Sequence, residues 1–315
     1  MKLSNWLKVA LGLAFVGALV FVAGLEETLG AIANANPLLL LSAFLLQPLA
    51  MMLRFSRWHF LLRGTGISAP FWDTSKMYAK GWFFGAFTPS RAGELVRFHY
   101  LRDRLKVPLG KAVLLTATDR LFDLLVILAL AALGILTIHG LGVDFLITVF
   151  FFYFVLAGIV LVAYSRRAYG LFSFLVSKTA KFTGLQVDSS REGLEKGVKA
   201  PLQDLLAKPV VLLVTFGLTL LAWLVLAFQA VLIFAALGVS ADLFFTLAAL
   251  AIGGVAALIP VTLSGLGTRD AAFILVFASI GIPAHAALSM SIIEFVFGQV
   301  VPGLVGWLAI VGDSK

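Results

Sequence analysis

Residues 83–102 read FFGAFTPSRAGELVRFHYLR, and this stretch decides the architecture. An apolar run reaches Thr88-Pro89-Ser90, where the chain meets Arg91, Glu94 and Arg97 in quick succession. Proline stops a helix by removing a backbone donor and clashing with the preceding turn. The same grammar recurs at 259–270, IPVTLSGLGTRD: apolar residues, Pro260, hydroxyl side chains, glycines, then Arg269-Asp270. A single interruption would carry little weight. A matched pair asks for a common explanation.

Composition says what kind of chain is being interrupted. Of 315 residues, 61% are hydrophobic and 13% charged, whereas an ordinary soluble domain carries about 25% charged residues. Mean hydropathy is +1.04. Several runs of nearly uncharged residues are long enough to cross a hydrocarbon core of about 30 Å. The chain therefore reads as an all-α polytopic membrane protein. Its 29 glycines suit close helix packing in lipid. With no cysteine there is no disulfide, thiolate ligand or thiol nucleophile. The net charge of +8 is read as cytoplasmic loop charge, so no nucleic acid is expected.

Full spans are expected at 6–24, 38–62, 112–138, 145–164, 210–237 and 284–311, the first being a retained helix rather than a cleaved leader. Two apolar stretches, 71–100 and 243–281, are broken internally. Connections 25–37, 139–144 and 238–242 hold no Lys or Arg, while 63–111 holds nine and 165–208 holds eight. That alternation puts the N-terminus and both basic regions on the cytoplasmic side of an inner membrane. It closes only if each broken stretch enters and leaves on one side, as a re-entrant helical hairpin. Within 165–208, Ser189 and Glu192 fit a capping box that opens a short interfacial helix.

Aligning Gly93 on Gly265 places Arg97 on Arg269 and Ala112 on Ala284. One transmembrane domain, 1–315, then consists of two repeats, 6–138 and 145–311, with a basic linker at 165–208. Each repeat has three full crossings, so the second is expected upside down relative to the first. Inverted repeats whose broken helices face each other at the midplane are characteristic of transporters.

Charge inside a membrane is costly and is usually paired or set in a cavity. Arg91, Glu94 and Arg97 belong to the first break, Asp119, Arg120 and Asp123 to the next span, and Arg269 and Asp270 to the second break. Glu294 lies well inside the last span. Their simplest reading is structural: solvated helix ends, loop charge, Glu294 paired with Arg269 or Arg120, or an Arg269–Asp270 pair at a helix start. The functional reading joins them with Ser90, Ser264, Gly265 and Gly267 around a polar cavity for a headgroup. Arginine suits that role because its fork donates two hydrogen bonds to a phosphate. Half-helices starting after Gly93 and Gly267 are expected to add free N–H groups.

The blocks PSRAGELVR (89–97), TDRLFDLL (118–125) and IPVTLSGLGTRDAAF (259–273) resemble the transmembrane region of lysylphosphatidylglycerol synthases and their stand-alone relatives. The resemblance runs over nearly the whole chain. In that family the last block commonly ends Arg-Glu; here Asp270 shortens the acid but keeps its charge. It implies movement of an aminoacylated or polyprenyl-phosphate-linked lipid between leaflets. The synthases carry a further soluble aminoacyl-transfer domain, whereas this chain ends just past its last span. A stand-alone member that does not itself make lysyl lipid is the expectation.

The leading reading is a lipid translocase whose ligands are membrane lipids with an anionic or lipid-linked phosphate headgroup. No Walker-type phosphate loop is present, so no nucleotide cofactor is expected, nor any other cofactor or metal. The alternatives are a membrane enzyme acting on lipid-linked phosphate or sugar, or an accessory subunit alongside a partner enzyme of envelope glycan or lipid synthesis. A soluble-ion transporter is a further alternative. His59, His99, His139 and His285 are scattered and form no catalytic pattern.

Overall fold

A computed structural model describes residues 17–19, 21, 23–86, 88, 91–137, 200–258 and 265–313. The expected span at 145–164, most of that at 6–24 and the capping box at Ser189 lie outside them. Every regular element among the described residues is helical: α1 (Leu25–Ala33), α2 (Pro37–Gly64), α3 (Phe71–Ala86), a 3-10 turn (Ala92–Val96), α4 (Arg97–Leu105) and α5 (Leu109–Thr137). After the linker come α6 (Pro209–Ala236), α7 (Leu243–Ala256), α8 (Thr268–Ala278), α9 (Ala284–Phe295), a π turn (Val296–Val300) and α10 (Val301–Gly312). Among the described residues, three stretches are long and apolar enough to cross a membrane: Pro37–Gly64, Pro209–Ala236 and Ala284–Gly312.

Local chemistry sets the starts. Asn36 accepts from the N–H groups of Leu38 and Leu39, and Pro37 occupies the first turn, where its missing donor costs nothing. Asp242 caps α7 by accepting from Phe245 at 2.8 Å. At 28 residues, α2 and α6 are each about 42 Å long.

These two long helices lie antiparallel. The start of α2 meets the end of α6 through Asn36 N–H to the Ala236 carbonyl, 2.8 Å. Gln229 then donates to the Ala43 carbonyl, and Arg57 to Thr219. At the far end, a Cβ on Gly64 would lie 2.6 Å from a Val211 methyl. As numbers rise along α2 they fall along α6.

Three pairs of element boundaries lie 172 positions apart. Pro37 and Pro209 open α2 and α6, Gly64 and Ala236 close them, and Phe71 and Leu243 open α3 and α7. Packing follows the same interval. Gly134 of α5 lets the Ala248 side chain of α7 approach, and Gly306 of α10, 172 positions later, does the same for the Ala79 backbone of α3. α5 thus packs against α7 and α10 against α3.

Small residues allow close approach beside both breaks. A side chain on Gly93 would meet the Phe84 carbonyl at 2.2 Å, and one on Gly265, at φ 76°, would meet Ala257 at 2.4 Å. Arg91 takes the left-handed conformation, φ 55°, at the first turn-around. At the chain's end, Lys80 of α3 and Arg104 of α4 both donate to Asp313, which fastens the first hairpin to α10. The hydrogen bond from the Lys80 ammonium, reinforced by its charge, holds the Asp313 carboxyl below its ordinary range.

Candidate functional site

The centre of the charge system is Arg57, carried by α2 and sealed from solvent. Its Nη1 lies 2.7 Å from Asp123 Oδ1 and its Nη2 2.8 Å from Asp119 Oδ1. Asp119 and Asp123 stand one helical turn apart on α5, so one guanidinium can span both. Tyr78 Oη accepts from Nη2 and Thr219 Oγ1 from Nη1. Asp119 also binds Arg97 Nη1 at 2.7 Å, and the Arg97 guanidinium lies over the rings of Tyr78 and Trp58 at 4.3 and 4.8 Å. Buried charges are tolerable only when paired this fully.

Glu94 belongs to the same network but turns elsewhere. Its carboxylate takes Arg120 of α5, with Arg91 Nε 3.8 Å away. Arg97 bonds the Glu94 main-chain carbonyl rather than its side chain. Arg91 in turn donates to Gln299 in the π turn and so links the first break to the last helix.

The second half has its own knot. Arg269 Nη1 lies 2.7 Å from Glu294 Oε2, and Nη2 lies 3.1 Å from Asp270 Oδ1 and 3.2 Å from Ser291 Oγ. Ser291 stands 172 positions after Asp119, so the two equivalent arginines take equivalent partners on α5 and α9. In the second half Asp270 supplies the charge that Asp119 supplies in the first. The π turn begins two residues beyond Glu294, where a Cβ on Gly298 would stand 2.8 Å from Glu294 Oε1.

The expected free N–H groups at the two restarts are occupied. Gly93 N–H donates to Thr88 Oγ1 and Gly267 N–H to Asp270 Oδ2, both at 2.7 Å. Local side chains outcompete a ligand there because they are already in place, as at any capped helix start.

Arg91, Arg120, Asp123, Arg269 and Glu294 all line one cavity of about 240 Å³. Its other walls include Gln47 and Arg54 of α2, Trp223 of α6 and Gly254 of α7. Glu94, Arg97, Asp119 and Asp270 are the buried partners that brace these groups, and Gly265 and Gly267 shape the entry to α8. Ser90 and Ser264 lie outside the described residues. Arg57, Arg54, Gln47, Ser291 and Gln299 are additions made by the structure. Arg54 and Arg57 had a sequence signal, two arginines inside an otherwise apolar span.

Comparison with known proteins gives this constellation a family. A UPF0104 membrane protein of Methanocaldococcus jannaschii is 24% identical over 306 residues, covering 94% of this chain and 90% of its own. Two UPF0104 membrane proteins of Methanothermobacter thermautotrophicus are 22% and 24% identical, over 93% and 99% of this chain and 91% and 93% of theirs. The family model described as the lysylphosphatidylglycerol synthase TM region matches residues 6–306. Carrying that match over nearly its whole length, the chain belongs to the lysylphosphatidylglycerol synthase transmembrane-region family.

Proposed function

We propose that this protein is a lipid translocase that passes a phosphate-bearing headgroup between leaflets through the cavity between two oppositely oriented repeats. The observation that carries the proposal is the meeting of the two breaks: Arg91 from the first and Arg269 from the second line one cavity, with Glu294 and Asp123 beside them. Antiparallel packing of α2 against α6, elements that begin 172 positions apart, supports the inverted arrangement. A two-fold axis lying in the membrane plane relates such halves and makes the cavity reachable by the same rocking motion from either side. Exchange along the lipid gradient, or coupling to an ion, drives the movement. Membership of a family named for a lipid synthase's membrane region points to lipid rather than a soluble solute.

The test is reconstitution. Purified protein in vesicles of fluorescent anionic or polyprenyl-phosphate lipid should accelerate leaflet exchange over empty vesicles. Glu294→Gln and Arg269→Ala should each slow it. Exchange that proceeds unchanged in both variants would remove this cavity from the pathway, and no acceleration with any such lipid would end the translocase reading.

A further inference from the structure

The buried charge between the halves does not balance. Glu94, Asp119, Asp123, Asp270 and Glu294 each contact at least one of Arg57, Arg91, Arg97, Arg120 and Arg269, five acids against five arginines. Arg54 lines the same cavity and contacts no carboxylate among the described residues. The cavity thus holds one positive charge more than its partners neutralise.

Around that charge, polar groups are left without protein partners. Arg54 Nε, Arg120 Nε and Trp223 Nε1 are buried donors with no acceptor among the described residues, and all three residues line the cavity. Gln47, 3% exposed, stands two turns before Arg54 on the same face of α2, and its side-chain amide oxygen is unpartnered. Orphaned buried donors are uncommon and costly, and converging ones of this kind call for an acceptor with several oxygens. Among the described residues no donor reaches Glu294 Oε1, and Glu294 shares Arg269 with Asp270, so it can accept from a headgroup hydroxyl.

We infer that Arg54, together with Arg120 and Trp223, is a subsite for a phosphodiester that carries one net negative charge. The inference rests on reading the cavity as the ligand pathway and narrows what passes through it. A zwitterionic headgroup leaves the surplus charge unmet. An aminoacylated headgroup of net positive charge adds to it. A single phosphodiester, whether in a lipid or in a soluble diester, supplies one negative charge and the oxygens that the three donors lack. Arg54 offers it a planar fork rather than a point charge.

Isothermal titration of the full chain in detergent tests the subsite apart from transport. The probes are dihexanoyl-phosphatidylglycerol, its phosphatidylcholine counterpart, and glycerophosphoglycerol, the same diester without acyl chains. The phosphatidylglycerol should bind at least about tenfold tighter than the phosphatidylcholine. Arg54→Gln should abolish the difference, Arg54→Lys should keep part of it, and Trp223→Phe should reduce it, with thermal unfolding checked in each. Arg54-dependent binding of glycerophosphoglycerol assigns the site to the diester itself; binding only of the lipid assigns it to the diester with its chains. Equal binding of the two lipids, or undiminished preference in a folded Arg54→Gln protein, overturns the inference. Selective binding without leaflet exchange keeps the subsite and removes the translocase. Exchange that ignores Arg54 does the reverse.

Discussion

Arg57 Nη2 and Asp119 Oδ1 stand 2.8 Å apart with side chains 1% and 0% exposed, which joins the second long helix to the fifth in the interior of the protein. The pair is not isolated, because Asp119 is shared with Arg97 and Arg57 with Asp123. Removing one member leaves the others buried and uncompensated. Arg57→Met and Asp119→Asn should therefore each destabilise by about 3–5 kcal/mol, read as a fall in the thermal midpoint in detergent. Arg57→Lys should rescue little, because an ammonium cannot span two carboxylates as the fork does. A double variant less damaged than the sum of its singles would confirm the coupling.

Two neighbouring glycines on α7 should behave oppositely. A Cβ on Gly253 would sit 2.2 Å from the Phe273 ring, so Gly253→Ala should cost about 1–3 kcal/mol by overpacking. Gly254 lines the cavity, and a Cβ there would find Ile127 and Trp223 at an ordinary 3.5 Å. Gly254→Leu should leave the thermal midpoint close to wild type while it fills the cavity and suppresses leaflet exchange. Full exchange in a folded Gly254→Leu protein would show that ligands travel elsewhere.

The absence of cysteine makes topology directly measurable. Exposed positions Asp103, after the first break, and Ser240, after α6, accept single cysteines without touching the charge network. An impermeant thiol reagent should label Asp103→Cys from the cytoplasmic side and Ser240→Cys from the outer side. Labelling of both from one side would contradict the inverted arrangement.

The Lys80–Asp313 contact should weaken in acid. Hydrogen bonding and charge from Lys80 lower the Asp313 carboxyl in the folded state. A depressed carboxylate contributes stability fully above its unfolded value of about 3.9 and loses it as pH falls through the lower folded value. The thermal midpoint of wild type should exceed that of Asp313→Asn at neutral pH, with the gap closing below about pH 4. A gap that is constant down to pH 3 would mean that the carboxylate's charge is not what fastens α10 to the first hairpin.

Much of the architecture is written in local chemistry. Apolar runs, Pro37 and Pro209 at helix starts, and the glycines of both breaks announce helices and interruptions because each acts through its own backbone or hydropathy. The constant interval between the halves is legible for the same reason: Arg97 and Arg269 follow equivalent turns. Which arginine meets which acid is not local. Glu94 and Arg97 look like partners on one helical face, yet the Glu94 carboxylate goes to Arg120, because the 3-10 turn after Arg91 rotates it away from Arg97 and toward α5.

Sequence alone thus determined that the chain is helical and membrane-embedded and that two of its apolar stretches carry helix-breaking residues, since hydropathy and helix-breaking residues act over a few neighbours. Only the tertiary structure decided that Arg57 is consumed by Asp119 and Asp123 while Arg54, one turn earlier on the same helix, is left over. Both arginines weigh alike in any hydropathy window. Their difference comes from what α5, α6 and α7 place opposite each, and that depends on contacts between residues far apart in the chain.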